Sequence, residues 1–338
     1  MSKRKRKKKK DKVIVSCFIF ILLCIIGIIL YYCLNGENKL IKKPTRKLRI
    51  IDETSNKRPI AVMIDNNIKD SHAGLQDSYI NYEIIVEGGL TRIMALYKDK
   101  NVDMIGPIRS SRHYFLDYAL ESDAIYTHFG WSPFAEKDIK ALGVENINGL
   151  TDDAFWRDKN LKAPHNVFTK IDTIYNYAKN NKNYSTETDD WKLLNYSVKN
   201  INLENNEDAV AANNIDIKYS NFVTVNYEYN AENKYYLRSK NNVRHIDKNT
   251  GSQLHYKNII IEKVNNSTLD SYGRQDLDTV GEGDGYYITN GYALPIKWSK
   301  ASRKSKTIYT YLGGSKIKVN DGNTFIHIVP ITTDPKFN

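Results

Sequence analysis

The sequence predicts an α+β or α/β protein: an N-terminal α/β sheet domain with flanking helices, then a mainly antiparallel β domain, both preceded by one transmembrane helix. Three observations lead there. A 22-residue run without charge, Val13 to Leu34, follows a basic tail. Between residues 58 and 178, short apolar runs alternate with segments of helical spacing. Beyond residue 221 the period becomes two, and turn signals separate the runs.

The net charge of +11 over 338 residues has a local origin. Residues 1–12 hold nine Lys/Arg and one Asp, which is +8, so the other 326 carry +3 (11 − 8). A strong nucleic-acid footprint needs a basic face on the folded part, and +3 spread over that length argues against one, so no nucleic-acid partner is expected. The 13–34 run reaches about 33 Å at ~1.5 Å per residue, enough for a hydrocarbon core of ~30 Å. Lys/Arg on its N-terminal side predict a cytoplasmic tail (1–12), a single-pass signal anchor (13–34) and an exported remainder. The run exceeds a usual signal-peptide h-region, and no Ala-x-Ala site follows it. Tyr31 and Tyr32 precede Cys33 where a lipidation site would carry small residues. Cys17, Cys24 and Cys33 all fall in this run, so the exported part has no disulfide and no thiolate metal ligand.

Residues 35–57 read as a polar, Lys-rich stalk. The α/β domain, 58–178, opens with IAVMI (60–64), a buried strand ended by Asp65-Asn66-Asn67. Residues 73–79 suit a short helix. Tyr82–Val86 and Leu90–Tyr97 read as strands around Gly88-Gly89, and Gly106-Pro107 as a turn. Helical spacing of Tyr114, Phe115, Tyr118 and Ala119 predicts a helix from Ser110 or Ser111 to about Glu121. A strand over Ile125–Phe129 and helices over Pro133–Leu142 and Phe168–Ala178 complete the domain. Residues 179–220 are an interdomain region with local helix near Trp191–Tyr196. In the β domain, 221–330, Phe222–Tyr229 alternates, and Ile259–Val264, Tyr286–Thr289 and Phe325–Val329 are short β runs. Gly281–Gly285 (GEGDG) reads as a turn between them.

Taken in order, RPIAVMIDN, YEIIVEGGLTR, IGPIRSSR, DAIYTHFG and FWRDKNLKAPHNVF resemble the N-terminal domain of the YerB-like family. Those are bacterial surface proteins of lipoprotein type, built on a domain of unknown function. YLRSKNNVRHIDKNTGSQLHYKNIII, YGRQDL, GEGDGYYITNGYALPIKW and GNTFIHIVP are similar to its C-terminal domain, so the resemblance covers roughly residues 58–330. It implies export, a two-domain build and a Gram-positive envelope location, and it carries no established reaction. The chain departs from the lipoprotein members in lacking a good lipid-attachment motif.

The chemistry concentrates in Tyr82–Asp117. Arg109, Ser110 and Arg112 stand where a turn enters the predicted helix, and free N–H donors with guanidiniums there suit a carboxylate or phosphate. Ser capping and ordinary ion pairing explain the same residues equally well. Glu83 and Glu87 on one extended strand would lie ~13 Å apart. A glycosidase pair needs ~5–9.5 Å. Asp65 therefore becomes the expected partner of Glu87, with Gly88-Gly89 leaving room for substrate. A salt-bridge network of Glu87 with Arg92, Arg109 or Arg112 is the competing reading. His128 near Trp131, or His165 near Trp156, could serve as acid/base or sugar-stacking groups, though a lone His is more often structural. No metal or nucleotide motif is present, and no metal or cofactor is expected.

The expected catalytic residues are Glu87 and Asp65. The expected substrate-binding residues are Glu83, Arg92, Arg109, Ser110, Arg112, His128 and Trp131. The expected function is that of a membrane-anchored envelope protein acting on peptidoglycan as a glycosidase or lytic transglycosylase. The alternative is a non-catalytic scaffold that binds a cell-wall glycan, another anionic wall fragment or a protein partner.

Overall fold

The computed structural model describes residues 15–28, 30–31, 47–67 and 72–338. The chain divides into two units, residues 1–46 and 47–338. In the first, residues 15–28 and 30–31 are helical and carry exposed apolar side chains, among them Phe18, Phe20 and Leu22. Among the described residues no helix is long and apolar enough to cross a membrane. The ends of the expected 13–34 span, and the tail and most of the stalk, lie outside the described residues.

The second unit is built on an eleven-stranded mixed sheet. Its N-terminal half contributes β1 (Ile60–Asp65), β2 (Ile80–Ile85) and β3 (Thr91–Tyr97). These three are buried along their whole length, as continuous apolar runs covered on both faces should be. Then come α1 (Phe115–Leu120), β4 (Ile125–His128), α2 (Pro133–Leu142), β5 (Asn146–Asn148) and α3 (Ile171–Asn181). The C-terminal half supplies β6 (Asn214–Lys218), β7 (Thr224–Asn230) and β8 (Tyr235–Lys240), followed by β9 (Asn258–Val264), β10 (Gly281–Thr289), β11 (Tyr292–Lys300), β12 (Ile308–Tyr311) and β13 (Thr324–Pro330).

The strand order is β12-β11-β10-β9-β13-β2-β3-β1-β4-β5, with Val210–Ala211 paired to β11. The last long strand thus inserts at the middle: β13 runs parallel to both β9 and β2. Its buried backbone finds hydrogen-bond partners on either side only there. The two halves that periodicity separates therefore share one sheet. Strands β6, β7 and β8 form a second, six-stranded sheet with three two-residue strands.

The pleat of β2 shows how the layers stack. Tyr82 meets Tyr118 of α1 at a ring separation of 4.9 Å, while its neighbour Glu83 bonds Arg238 of β8. Side chains alternate along a strand, so α1 and the second sheet cover opposite faces.

Several elements differ from expectation. The helix expected from Ser110 or Ser111 starts only at Phe115 and is six residues long. Residues 107–111 are instead extended and tied into neighbouring strands: the Arg109 amide donates to the Met63 carbonyl (3.0 Å), Ile108 to Val167 (2.7 Å) and Ser111 to Gly130 (2.9 Å). Residues 73–79 hold a single 3₁₀ turn, Leu75–Asp77, and Trp191–Tyr196 is not helical. GEGDG is not a turn but the first half of β10. A side chain on Gly285 would come within 2.2 Å of the Ile261 carbonyl oxygen, and one on Gly283 within 2.6 Å of Trp298 Nε1. These glycines let strands and the indole pack closely. The helix over 133–142 is as expected, with Ser132 Oγ accepting from the Ala135 amide (3.2 Å) and Gly143 ending it at φ 65°.

Candidate functional site

Asp65 ends β1, directly across the ladder from Arg92 of β3. The Asp65 carboxylate is buried, accepts from the Asn67 amide (3.0 Å) and bonds His165 Nδ1. Arg109 Nε lies 3.5 Å from Asp65 Oδ2. Burial pushes the Asp65 carboxyl up, but Arg109 and His165 outweigh it and leave its pKa below the usual value.

Glu87 lies past the end of β2, in the turn Glu87–Gly89. Arg112 grips it with two prongs, Nε to Oε1 at 2.6 Å and Nη2 to Oε2 at 2.8 Å, and gives Nη1 to the Ser111 carbonyl (2.8 Å). Burial raises the Glu87 carboxyl, and the hydrogen bonds and charge of Arg112 pull it below its usual value. Asp65 and Glu87 therefore bond different cations. Gly88 and Gly89 both have positive φ, near 68° and 69°, which the turn requires. A Cβ on Gly89 would stand 3.1 Å from Ser220 Cβ and 3.2 Å from Phe222, whereas one on Gly88 would meet nothing within 4 Å, so protein closes the Gly89 side of the pair and the Gly88 side stays open.

Arg92 is buried and donates Nη1 to the Ser110 carbonyl, between Arg109 and Arg112 in sequence. Burial, then the neighbouring charges of Arg112 and Arg109, lower its pKa to about 10. Arg92 and Arg112 donate to the adjacent carbonyls of Ser110 and Ser111, and Arg109 Nε lies 3.5 Å from the Asp65 that faces Arg92 across the ladder, so the three side chains gather at one strand end. Lys240 of β8 bonds the Asn66 carbonyl, one residue from Asp65. Ser110 Oγ donates to the Phe129 carbonyl (3.0 Å) and caps no helix. The expected anion site at a helix N-terminus is thus absent, because the amides of residues 108, 109 and 111 are taken by strand neighbours. What converges there are side chains.

Two expected binding residues lie elsewhere. Glu83 is fully buried between the sheets. It pairs with Arg238 (2.7 Å) and accepts from Asn66 Nδ2 and Thr91 Oγ1, each at 2.7 Å. Burial raises its pKa, and Arg238, then His327, bring it below the usual value. His128 is also fully buried, with Nδ1 2.8 Å from the Gly130 carbonyl and Nε2 3.1 Å from Asn146 Oδ1. Burial lowers its pKa to about 4. Trp131 packs beside it, ring centroids 5.6 Å apart. His128 is held in the interior, whereas Trp131 is only partly buried and its backbone pairs with Ser111, the neighbour of Arg112.

The structure adds residues to the site. His165 sits 100 positions from Asp65, and its side chain is 22% exposed, so it is the accessible histidine of the cluster. Pro164-His165 was visible in the sequence, but nothing local ties it to Asp65. A buried chain runs behind the site. Arg238 Nη1 bonds His245 Nδ1, His245 Nε2 lies 2.9 Å from His72 Nδ1, and His72 Nε2 bonds the Asp65 carbonyl. Burial lowers His72 to about 4 and holds His245 well below its usual value, which fits two neutral rings each donating onward. On the other side of Glu83, Tyr219 and Tyr227 hydroxyls lie 2.9 Å and 2.8 Å from the nitrogens of His327. The second sheet thereby fixes the strand ends that carry Asp65 and Arg92.

A mixed-sheet protein with a cluster of cations at its central strand ends is the class these features define. Residues 46–185 match the family described as protein of unknown function DUF3048, N-terminal domain, and residues 215–326 match its C-terminal domain. The chain is 30% identical over 322 residues to "Putative lipoprotein YerB" of Bacillus subtilis (strain 168), covering 91% of this chain and 93% of that protein. The crystal structure of Bacillus subtilis YerB superposes with a TM-score of 0.75 at 28% identity, over 86% of this chain and 100% of that one. The chain belongs to this YerB-like, DUF3048 family.

Proposed function

We propose that this is an extracytoplasmic, membrane-anchored envelope protein that binds an anionic cell-wall fragment through the Arg92–Arg109–Arg112 cluster. The observation that carries the reading is the convergence of three guanidiniums, of which only Arg112 is engaged by a carboxylate in a two-pronged pair. An envelope location is supported by the lipoprotein name of the Bacillus relative and by the basic tail before the 13–34 run, part of which is helical. Anchoring by residues 13–34 belongs to the same proposal.

Binding is favoured over glycan cleavage by the state of the two carboxylates. A glycosidase needs one carboxyl protonated near neutrality, hence a raised pKa. Asp65 and Glu87 are both held below their usual values by neighbouring cations. The observation favouring catalysis is the buried Asp65 orienting a partly exposed His165, an arrangement a general base can use.

Incubation of the full-length chain with purified cell wall separates the two. Retention on the wall, reduced by Arg109→Ala and unaccompanied by soluble muropeptides, is the expected result. Muropeptide release that Asp65→Asn or His165→Asn abolishes would replace binding by cleavage. No retention and no release would remove both.

A further inference from the structure

Resting on the anion-binding reading, we propose that the group this cluster takes is a dianionic phosphate, a phosphomonoester or diphosphate, and not a single carboxylate.

The first reason is charge. Among the described residues, Arg92, Arg109 and Arg112 gather with Asp65 and Glu87, and Lys240 bonds the Asn66 carbonyl beside Asp65, so four cations against two carboxylates leave +2. Glu83 does not reduce this surplus, because Arg238 neutralises it between the sheets. A carboxylate would leave half of the excess unmatched in a largely buried setting, whereas a phosphate dianion would match it.

The second reason is the number of idle donors. Arg112 spends Nε, Nη1 and Nη2 on Glu87 and Ser111. Arg92 spends only Nη1, on the Ser110 carbonyl. The Arg109 guanidinium makes no hydrogen bond among the described residues: its Nε is buried without a partner, 3.5 Å from Asp65. A planar carboxylate has two oxygens and is satisfied by one guanidinium fork. A phosphate monoester offers three oxygens and can accept from two forks together. A buried donor without an acceptor is costly, so the orphaned Arg109 Nε marks a place for a ligand oxygen, and the Arg92 N–H groups not used on Ser110 stand beside it.

The third reason is His165. Its Nδ1 is committed to Asp65, which fixes the ring and leaves Nε2 with no partner among the described residues. That presents Nε2 beside the forks as a further polar atom of the site.

The experiment is calorimetric titration of the full-length chain in detergent at constant ionic strength. Inorganic phosphate, inorganic pyrophosphate, acetate and D-lactate are compared. Glucose 1-phosphate and short-chain phosphatidic acid carry the same monoester on a soluble and a lipid carrier, and so tell those sources apart. Phosphate or pyrophosphate should bind at least tenfold more tightly than either carboxylate. Arg109→Lys, which keeps the charge and removes the fork, should weaken phosphate at least tenfold, while Lys297→Ala on the far antiparallel edge should not. Arg92→Lys serves as the second variant, and unchanged melting without ligand certifies that each folds. Carboxylate binding equal to or tighter than phosphate overturns the phosphate assignment and leaves the anion-binding reading standing. Phosphate binding unaltered in both Arg variants places it elsewhere and overturns the assignment. Binding of no anion removes both.

Discussion

Glu83→Gln tests the claim that this glutamate holds two sheets together and does not touch ligand. Glu83 and Arg238 both have 0% side-chain exposure and lie 2.7 Å apart. The amide can still accept from Asn66 and Thr91, so the change removes mainly the counter-charge of Arg238. A buried guanidinium left without its carboxylate costs about 3–5 kcal/mol. Against a total stability of ~5–15 kcal/mol, that is a large fraction. Arg238→Met should cost a similar amount by stranding Glu83. The double variant should recover part of the loss, because it leaves neither an unpaired guanidinium nor an unpaired carboxylate buried. Urea unfolding at pH 7 followed by tryptophan fluorescence gives each value, and 0.5 M KCl should change the coupling little since the pair is out of reach of salt. A loss below about 1 kcal/mol for Glu83→Gln, or a double variant as unstable as the two singles summed, would refute the reasoning.

Glu262 accepts from Tyr118 (2.7 Å) and Tyr309 (2.9 Å) in the core, and burial raises its carboxyl to about 7. The folded state holds this proton more tightly than the unfolded state, so stability should fall as pH rises from ~4.5 to 7 and then level off. Glu262→Gln should accordingly gain up to about 3 kcal/mol at pH 8 and little at pH 5, read by urea unfolding at both; equal effects at the two pH values would contradict this. Glu87→Gln loosens the Arg112 pair and should cost about 1 kcal/mol after allowance for solvent screening. Since the Glu87 carboxyl is held below its usual value, that contribution should be complete above ~4.5 and fade as pH falls through the lower folded value. Gly285→Ala places a methyl 2.2 Å from a backbone carbonyl and should cost about 3 kcal/mol or more, visible as a lower urea midpoint.

Periodicity and turn chemistry located the apolar strands β1, β2, β3 and β13, which are buried almost throughout and bounded by turns, but missed β6, β8, β11 and β12, whose polar residues mask their pattern. The helix at 133–142 was equally legible, because Ser132, Pro133 and Gly143 are local signals. The segment at 107–111 was not: Tyr114, Phe115, Tyr118 and Ala119 have helical spacing, yet backbone bonds to Met63, Val167 and Gly130 hold the preceding residues extended. GEGDG looked like a turn because glycine is common there, whereas here its missing side chains admit Trp298 and the Ile261 carbonyl.

The sequence by itself determined the family, the concentration of basic charge in the first twelve residues, the strand-forming runs and the arginines of residues 92–112. Each depends on composition or on neighbours a few residues apart. Only the tertiary structure decided that β13 inserts beside β2, that Glu83 serves Arg238, that Glu87 is gripped by Arg112, and that His165 reaches Asp65. Those partners stand 155, 25 and 100 positions apart for Glu83–Arg238, Glu87–Arg112 and Asp65–His165. A carboxylate binds whichever cation the folded backbone brings within about 3 Å, and strand order, which joins distant segments, settles that choice.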